Sequence, residues 1–363
     1  MGAAERYPTD GYLPPPPAAS GFVPGAELGD TILDCIVERG VLGDLWLAHQ
    51  PRLGREVLVK SILPDLAEAD IQPDKSDHRI QALARLDHPA LTSLFRCGRH
   101  NQSTYLVYEQ VKGMRLDRIL KTIFGHHAAF AGAWDGATIS SRTEVSRMIP
   151  KLLCVEGGWQ SVVAQWGSDL AAGLHHAHSR GVVHRSLWSG NILVDRDARV
   201  RLFDFWYGDD LNPNVVSDLL PYLSPEEVNL KVGQQPVHDP RGDVFSLGVV
   251  LYFCLTGSIP YPVVRAPAQD VVLYDRNPPS ICSQRSEVHR RLERIIFKAL
   301  APDPSERWQD AEEMGKALDA FSKKIRSRTH HKGGIIGGLL WRLGKVWRTG
   351  TIKNGPSLVR GRS

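Results

Sequence analysis

The sequence predicts an α+β fold in a chain long enough for two domain-sized units. Its 363 residues, of which 42% are apolar and 23% charged, have the composition of a globular protein and the length of about two such units. From Thr31 onward, short apolar runs between turns that contain Gly and Pro predict β-strands. Between Gln160 and Ser179, apolar residues recur every four positions and predict an α-helix.

The first 29 residues have the composition of a disordered arm. They contain a run of four prolines at 14–17 and five glycines, with few large apolar residues. Such a segment cannot bury enough apolar surface to form a core. We therefore predict a disordered, proline-rich arm over 1–29, which serves as a spacer or as a polyproline II ligand.

The strand patterns lie in the first third of the chain, at Ile32–Val37, Leu45–Ala48, Val57–Lys60 and Thr104–Tyr108. Gly40 and Gly43 lie in the turn between the first two of these strands. A helix is predicted over 73–85. Residues 124–158 are rich in Gly, Ala and Ser and are longer than an ordinary connection, so we predict an inserted loop that offers a docking surface.

Two helices are predicted farther along the chain. The first, Gln160–Ser179, ends with His175, His176 and His178, which the helix dipole favours at that end and for which no further metal ligands are found. The second, Asp243–Gly257, is apolar on all sides, which is typical of a buried helix.

Residues 182–208 contain the side chains that indicate a catalytic function. Their sequence pattern is strand, loop, strand, loop. The residues with the spacing of the protein-kinase catalytic loop are His184, Arg185, Leu187 and Asn191. Asp204 and Phe205 follow where that family has its metal-binding Asp-Phe-Gly motif. This region therefore resembles a protein kinase.

The resemblance extends over about Asp30 to Ser322 and implies a two-lobed protein-kinase-like fold. Leu83 to Pro89 is closely similar to the bacterial, Hanks-type Ser/Thr protein kinases. The implied fold has a small antiparallel β lobe with one helix over 30–112 and a larger, mainly α-helical lobe over 113–322. The predicted insertion 124–158 lies in the large lobe, and 323–363 forms a basic tail.

The resemblance also implies roles for the matching residues. Those that would bind nucleotide are Gly40, Gly43, Lys60, Glu109, Val111, Asn191 and Asp204. Asn191 and Asp204 would also hold Mg²⁺. His184 and Arg185 would frame the catalytic position, which is occupied by Ser186.

Three further residues would have scaffold roles in such a fold. Asp243 would hold the backbone of the catalytic loop. Arg307 would pair with Glu226, which belongs to the Ser-Pro-Glu sequence that stands for the family's Ala-Pro-Glu motif.

Several chemical positions depart from the family pattern. Ser186 stands where the catalytic Asp belongs, Trp188 where a Lys contacts the transferred phosphate, and Trp206 where the Gly of Asp-Phe-Gly belongs. Arg79 replaces the helix Glu that orients the phosphate-binding lysine, and Glu38 replaces the first glycine of the Gly-rich loop. Loss of a general base alone typically costs about 100- to 10,000-fold in rate.

The sequence therefore predicts a pseudokinase, a nucleotide-binding or scaffold module that binds ATP weakly with Mg²⁺ and acts on a protein partner such as an active kinase. The alternative is an enzyme. It would be an active or weakly active ATP-dependent Ser/Thr kinase with another base, such as Asp195 or Asp209, or a nucleotide transferase that uses the same pocket.

Cysteine spacing and charge bear on partners and location. Five widely spaced cysteines predict neither a disulfide framework nor a zinc site, which favours a reducing cytoplasm. No apolar run reaches the length of a transmembrane helix, and the N-terminus lacks the pattern of a signal peptide. Residues 323–363 hold 11 Lys or Arg and no acid, so an anionic membrane surface or another acidic partner is predicted for this tail.

Overall fold

The computed structural model describes residues 22–38, 43–62, 81–101, 103–125, 155–205, 219–228, 239–264, 271–272, 274 and 277–331. The strands are β1 Glu27–Leu28, β2 Thr31–Glu38, β3 Leu45–Gln50, β4 Arg55–Ile62, β5 Leu94–His100, β6 Ser103–Glu109, β7 Gly113–Arg115, β8 Ile192–Asp195, β9 Val200–Leu202, β10 Val263–Val264 and β11 Val271–Val272. The α-helices, besides helical residues 81–84, are α1 Leu116–Phe124, α2 Gly158–His178, α3 Pro225–Val228, α4 Pro240–Thr256, α5 Ile281–Gln284, α6 Arg290–Ala299 and α7 Ala311–His331.

Six of the described strands form the antiparallel sheet of the small lobe, in the order β1-β2-β3-β4-β6-β5. Alternate residues along a strand point to opposite faces. Trp46 and Val57 therefore join one apolar cluster, whereas Leu45 and Leu58 join a second cluster on the side of the large lobe. A β lobe followed by a mainly helical lobe confirms the predicted α+β fold class.

The small lobe begins before the predicted boundary at residue 30. Phe22 is buried in the first apolar cluster and makes an edge contact with the ring of Tyr105. Strand β1 pairs with β2 through Glu27 and Leu28. An aromatic anchor and backbone pairing thus order residues 22–29, so the prediction that the arm extends to residue 29 was wrong for this part. Residues 1–21 lie outside the described chain.

The large lobe is built on three long helices, α2, α4 and α7. From Gly242 to Thr256, every residue of α4 is buried, as its apolar pattern predicts. Helix α2 begins and ends within two residues of the predicted bounds. At Gly167 of α2, a Cβ atom would lie 2.8 Å from Leu251 and 2.9 Å from Leu318, so this glycine lets the three helices approach one another.

A small sheet of order β7-β8-β9 positions the loops of interest. The loop from α2 to β8 contains His184 and Ser186, and the chain after β9 contains Asp204. Leu202 of β9 is tied to the segment that enters the small lobe, because its N–H donates to Ala90 and its carbonyl accepts from Thr92, both at 2.8 Å. The two loops therefore lie under the small-lobe sheet.

Helix α7 continues past the predicted boundary at Ser322 and ends at His331, so the first residues of the predicted tail are helical. No helix in the described ranges is long and apolar enough to cross a bilayer. Several predictions fall on residues that the structure does not describe: those on Gly40, Arg79, Trp206, Asp209, residues 126–154 of the insertion and the tail beyond 331.

Candidate nucleotide and catalytic site

The loop between α2 and β8 is held by the buried carboxylate of Asp243 on α4. Its Oδ2 accepts the N–H of His184 and its Oδ1 the N–H of Arg185, both at 2.8 Å. His178 of α2 lies 2.7 Å from Oδ2 through its Nε2. Burial by itself raises the pKa of Asp243, but the hydrogen bonds from His178 and from the His184 backbone lower it below its ordinary value. An ionised carboxylate therefore anchors this loop.

His184 packs beneath the loop as a neutral ring. Burial lowers its pKa, although the carboxylates of Asp243 and Asp204 oppose that shift. Its Nε2 lies 3.2 Å from the carbonyl oxygen of Phe203, and its ring centroid is 4.3 Å from that of Phe205. If Nε2 donates to that carbonyl, Nδ1 is left as an acceptor.

Ser186 occupies the centre of the predicted catalytic position and is fully buried. Its Oγ lies 3.2 Å from Nδ1 of His184 and 3.2 Å from the backbone carbonyl of Asp204. Its own carbonyl accepts a hydrogen bond of 3.0 Å from the Asn191 side chain. The hydroxyl is thus engaged by groups of the site itself, and a serine hydroxyl carries no charge near neutral pH.

Lys60 of β4 and Asp204 form an ion pair between the lobes. The distance from Nζ to Oδ2 is 3.6 Å, and the side chains are 13% and 4% exposed. Asp204 has a φ angle of 66°, in the left-handed region that residues other than glycine rarely adopt. Such backbone conformations persist where the surrounding structure holds them and are frequent at functional sites.

Asn191 and Asp204 supply oxygen atoms of the kind that Mg²⁺ prefers. The amide nitrogen of Asn191 is used in the hydrogen bond to Ser186, which leaves its amide oxygen as the ligand group. Among the described residues, no group of three or more His, Cys, Asp or Glu could hold a metal ion. A magnesium site here would therefore depend on these two side chains and on oxygens of a bound nucleotide.

Residues 109–113 lead from the end of β6 to β7 and form the hinge between the two lobes. Glu109 pairs with Arg201 of β9 through two hydrogen bonds of 3.0 and 3.2 Å, and its N–H donates to Ser93. Val111 is buried in the second apolar cluster, which also contains Tyr108. Burial, and secondarily the charge of Asp204, raises the pKa of Tyr108 well above its ordinary value, so this phenol stays protonated.

Gly43 lies two residues before β3, and its backbone conformation explains why this position is a glycine. Its φ angle is +132°, and a Cβ atom would collide with the backbone carbonyl of Ser61 on β4. The neighbouring Asp44 N–H donates to Ser61 Oγ at 2.9 Å. The glycine therefore allows the chain just before β3 to approach β4 next to Lys60.

The scaffold pair lies behind the site. Arg307 donates hydrogen bonds of 2.6 and 2.7 Å to the two carboxylate oxygens of Glu226. Its fully buried guanidinium also donates to the carbonyls of Ala301, Pro302 and Arg241. This network fixes α3 against the end of the large lobe.

Sequence reasoning missed Arg115, the last residue of β7. Its guanidinium forms ion pairs with Glu38 of β2 and with Asp117 of α1, the latter at 2.9 Å. It also lies 5.3 Å from the centroid of the Trp188 ring. Glu38 and Trp188 both depart from the family pattern in the sequence. No signal in the sequence, however, indicates that they contact Arg115, which lies 77 positions after Glu38 and 73 positions before Trp188.

The protein kinase domain family matches residues 36–317. The serine/threonine-protein kinase PrkC of Bacillus subtilis is 27% identical over 285 residues, which are 77% of this chain and 38% of that protein. The serine/threonine-protein kinase PknB of Mycobacterium leprae is 29% identical over 300 residues, 79% of this chain and 41% of that protein. The chain thus spans about two fifths of these relatives.

Among solved structures, the crystal structure of the Mycobacterium tuberculosis PknI kinase domain covers 82% of this chain and 99% of its own, with a TM-score of 0.57 and 21% identity. At that identity the likeness concerns the fold. The family match covers most of the chain and includes both loops of the site described above. This chain therefore belongs to the protein kinase domain family.

Proposed function

We propose that this domain is a pseudokinase, a kinase-shaped module that binds nucleotide weakly and regulates a protein partner without efficient phosphoryl transfer. The observation that carries the proposal is the buried hydroxyl of Ser186, held by His184 and the Asp204 backbone where the family has a catalytic carboxylate. A general base has to accept the proton of the attacking hydroxyl, and a neutral serine is too weak a base near pH 7.

Weak nucleotide binding is supported by the groups that remain. Lys60 lies near Asp204, and the Asn191 side chain is hydrogen-bonded to Ser186, so a triphosphate with Mg²⁺ would still meet one cation and two oxygen ligands. The Glu38 carboxylate, which precedes the predicted Gly-rich loop, would add negative charge against binding wherever its ion pair with Arg115 is broken. ATP binding is therefore expected to be weak and to require Mg²⁺.

A protein partner, such as an active kinase, is the proposed target of this module. The basic tail 323–363 supports a second contact, with an anionic membrane surface at the cytoplasmic side or with another acidic partner. Sedimentation with anionic liposomes would show whether the tail contributes.

The second candidate is an active Ser/Thr kinase that uses another carboxylate as base. The Lys60–Asp204 pair favours it, and so does the similarity to PrkC and PknB, which are Ser/Thr protein kinases by name. Asp195, however, accepts the N–H groups of Asp197 and Arg199 at 2.9 Å and closes the turn between β8 and β9. This engagement disfavours Asp195 as the base.

Phosphate transfer from radiolabelled ATP to a generic protein acceptor separates the two candidates. The variants are wild type, Ser186→Asp, and the triple variant Arg79→Glu/Ser186→Asp/Trp206→Gly, with Lys60→Ala as the control for contaminating kinases. We expect transfer at the level of the control for the first two, because a new carboxylate alone does not orient the phosphates, and a gain of at least about 100-fold for the triple variant. Robust transfer by the wild type, abolished in Lys60→Ala, would establish the active kinase instead.

A further inference from the structure

We infer that Glu38 and Arg115 form a latch that holds the cleft between the lobes closed and that has to open before a nucleotide enters. This inference rests on the proposed nucleotide binding, because the latch would regulate access to the nucleotide site. Glu38 ends β2 of the small lobe, whereas Arg115 ends β7, directly after the hinge. Their ion pair therefore joins the two lobes.

Several side chains hold the latch in place. The Arg115 guanidinium donates to both oxygens of Asp117, at 3.0 and 2.9 Å, in addition to its ion pair with Glu38. The Arg115 and Glu38 side chains are only 16% and 23% exposed, so solvent screens their attraction less than on an open surface. The ring of Trp188 from the catalytic loop packs over the same guanidinium.

Gly190 shows that the packing around Arg115 is close. A Cβ atom at this position would collide with the ring of Trp188 and with the guanidinium of Arg115. The catalytic loop therefore accommodates the latch because residue 190 has no side chain. Glu38, Arg115 and Trp188 come from three separate elements that converge at one place.

Apolar side chains also join the two lobes. Leu45 and Leu58 of the small-lobe sheet share one apolar cluster with Leu193 of the large lobe, and each is at most 7% exposed. The Lys60–Asp204 pair crosses between the lobes in the same region. A nucleotide would have to separate these groups, so the apparent affinity is reduced by the fraction of molecules in which the cleft is open.

Amide hydrogen exchange of the nucleotide-free full chain tests the latch without any ligand. The variants are Glu38→Gln, Arg115→Gln and the double variant, with Glu56→Gln as the matched control on the exposed face of β4. We expect exchange in peptides covering 31–38 and 113–117 to be about five- to tenfold faster in both single variants, and no faster still in the double variant. Rates equal to wild type and to Glu56→Gln would overturn the latch.

Association of a fluorescent ATP analogue with Mg²⁺ tests the gating. Charge alone predicts opposite effects, because Glu38→Gln removes a negative charge and Arg115→Gln a positive one beside a polyanion. The latch predicts that both variants bind about five- to tenfold faster than wild type. Opposite signs in the two variants would overturn gating. If no variant binds nucleotide, the proposed nucleotide binding fails, and hydrogen exchange still decides whether the latch exists.

Discussion

Glu226 and Glu227 are neighbouring residues of the large lobe whose carboxylates have different hydrogen-bond partners. Glu226 is neutralised by Arg307, whereas the carboxylate of Glu227 accepts hydrogen bonds only from the N–H and Oγ of Ser224, at 2.9 and 2.7 Å, among the contacts described. Glu227 also packs against Gly242, at 3.3 Å from the position of a Cβ atom. Burial raises the pKa of Glu227 to about 7, and the hydrogen bonds from Ser224 only partly oppose it.

Glu227 is therefore predicted to make stability depend on pH. Its pKa is higher in the folded than in the unfolded chain, so the folded state binds the extra proton and stability falls as the pH rises from about 4.5 to about 7. Glu227→Gln removes this penalty. Because the residue as a whole is half-buried, we expect the variant to be more stable by roughly 2 kcal/mol at pH 8 and unchanged at pH 4.5.

Urea unfolding at the two pH values measures this difference, with the exposed Glu56→Gln as the control. An equal gain for Glu227→Gln at pH 4.5 and pH 8 would contradict the assignment, since an effect of packing or hydrogen bonding does not follow the titration of the carboxyl group.

At the scale of elements, helix α7 closes the large lobe and is longer than the family-like region predicted from sequence. Beyond Ser322, Ile325 packs against the large apolar core, and Arg326 donates a hydrogen bond of 2.9 Å to Ser161 of α2. These contacts bind the end of α7 to the beginning of α2. Residues 323–331 are therefore part of the folded lobe as well as of the basic segment.

A chain that ends at Ser322 is predicted to be less stable than one that ends at His331. Loss of the Ile325 contact and of the Arg326 hydrogen bond removes about 2 kcal/mol, which corresponds to a decrease in Tm of about 3–8 °C. Differential scanning fluorimetry compares the two truncations. Ile325→Ala in the longer chain should reproduce part of the loss, and the exposed Lys324→Ala should not. Equal Tm values for both truncations would refute this role of α7.

In the whole molecule, three ion pairs among the described residues cross between the lobes. Besides Lys60–Asp204 and Glu38–Arg115, Arg201 pairs with Glu109 at the hinge at 3.0 Å. The second apolar cluster also contains residues of both lobes. Two of these ion pairs cross the cleft, and the third lies at the hinge. A ligand that enters between the lobes therefore has to interact with one or more of these pairs.

Stabilisation by ATP is predicted to depend on Mg²⁺. In the nucleotide-free protein, Asp204 is the partner of Lys60, and a metal ion would release the lysine for the phosphates by neutralising this carboxylate. We expect a millimolar concentration of ATP to raise Tm by about 1–3 °C with Mg²⁺ and not without it. Lys60→Ala should abolish the shift. A large shift that persists in EDTA would show that binding does not use the Asn191 and Asp204 oxygens.

Several strands of the small lobe, helices α2 and α4 and the order of the motifs could be predicted from the sequence. Short apolar runs bounded by turns predicted β3, β4 and β6, a four-residue recurrence predicted α2, and an unbroken apolar run predicted α4, because these features depend on local sequence pattern. The motif has a fixed spacing, so the sequence also predicts that Ser186 stands at the position of the catalytic Asp.

Which distant residues are in contact could not be predicted from the sequence and is seen only in the folded chain. The pairing of Arg115 with Glu38, the packing of Trp188 over that guanidinium and the burial of Phe22 depend on how the lobes and strands come together. Contacts between residues far apart in sequence leave no local periodicity, so a pattern cannot show them. The end of α7 follows the same rule, because Arg326 is helical in a basic segment where α2 offers a partner.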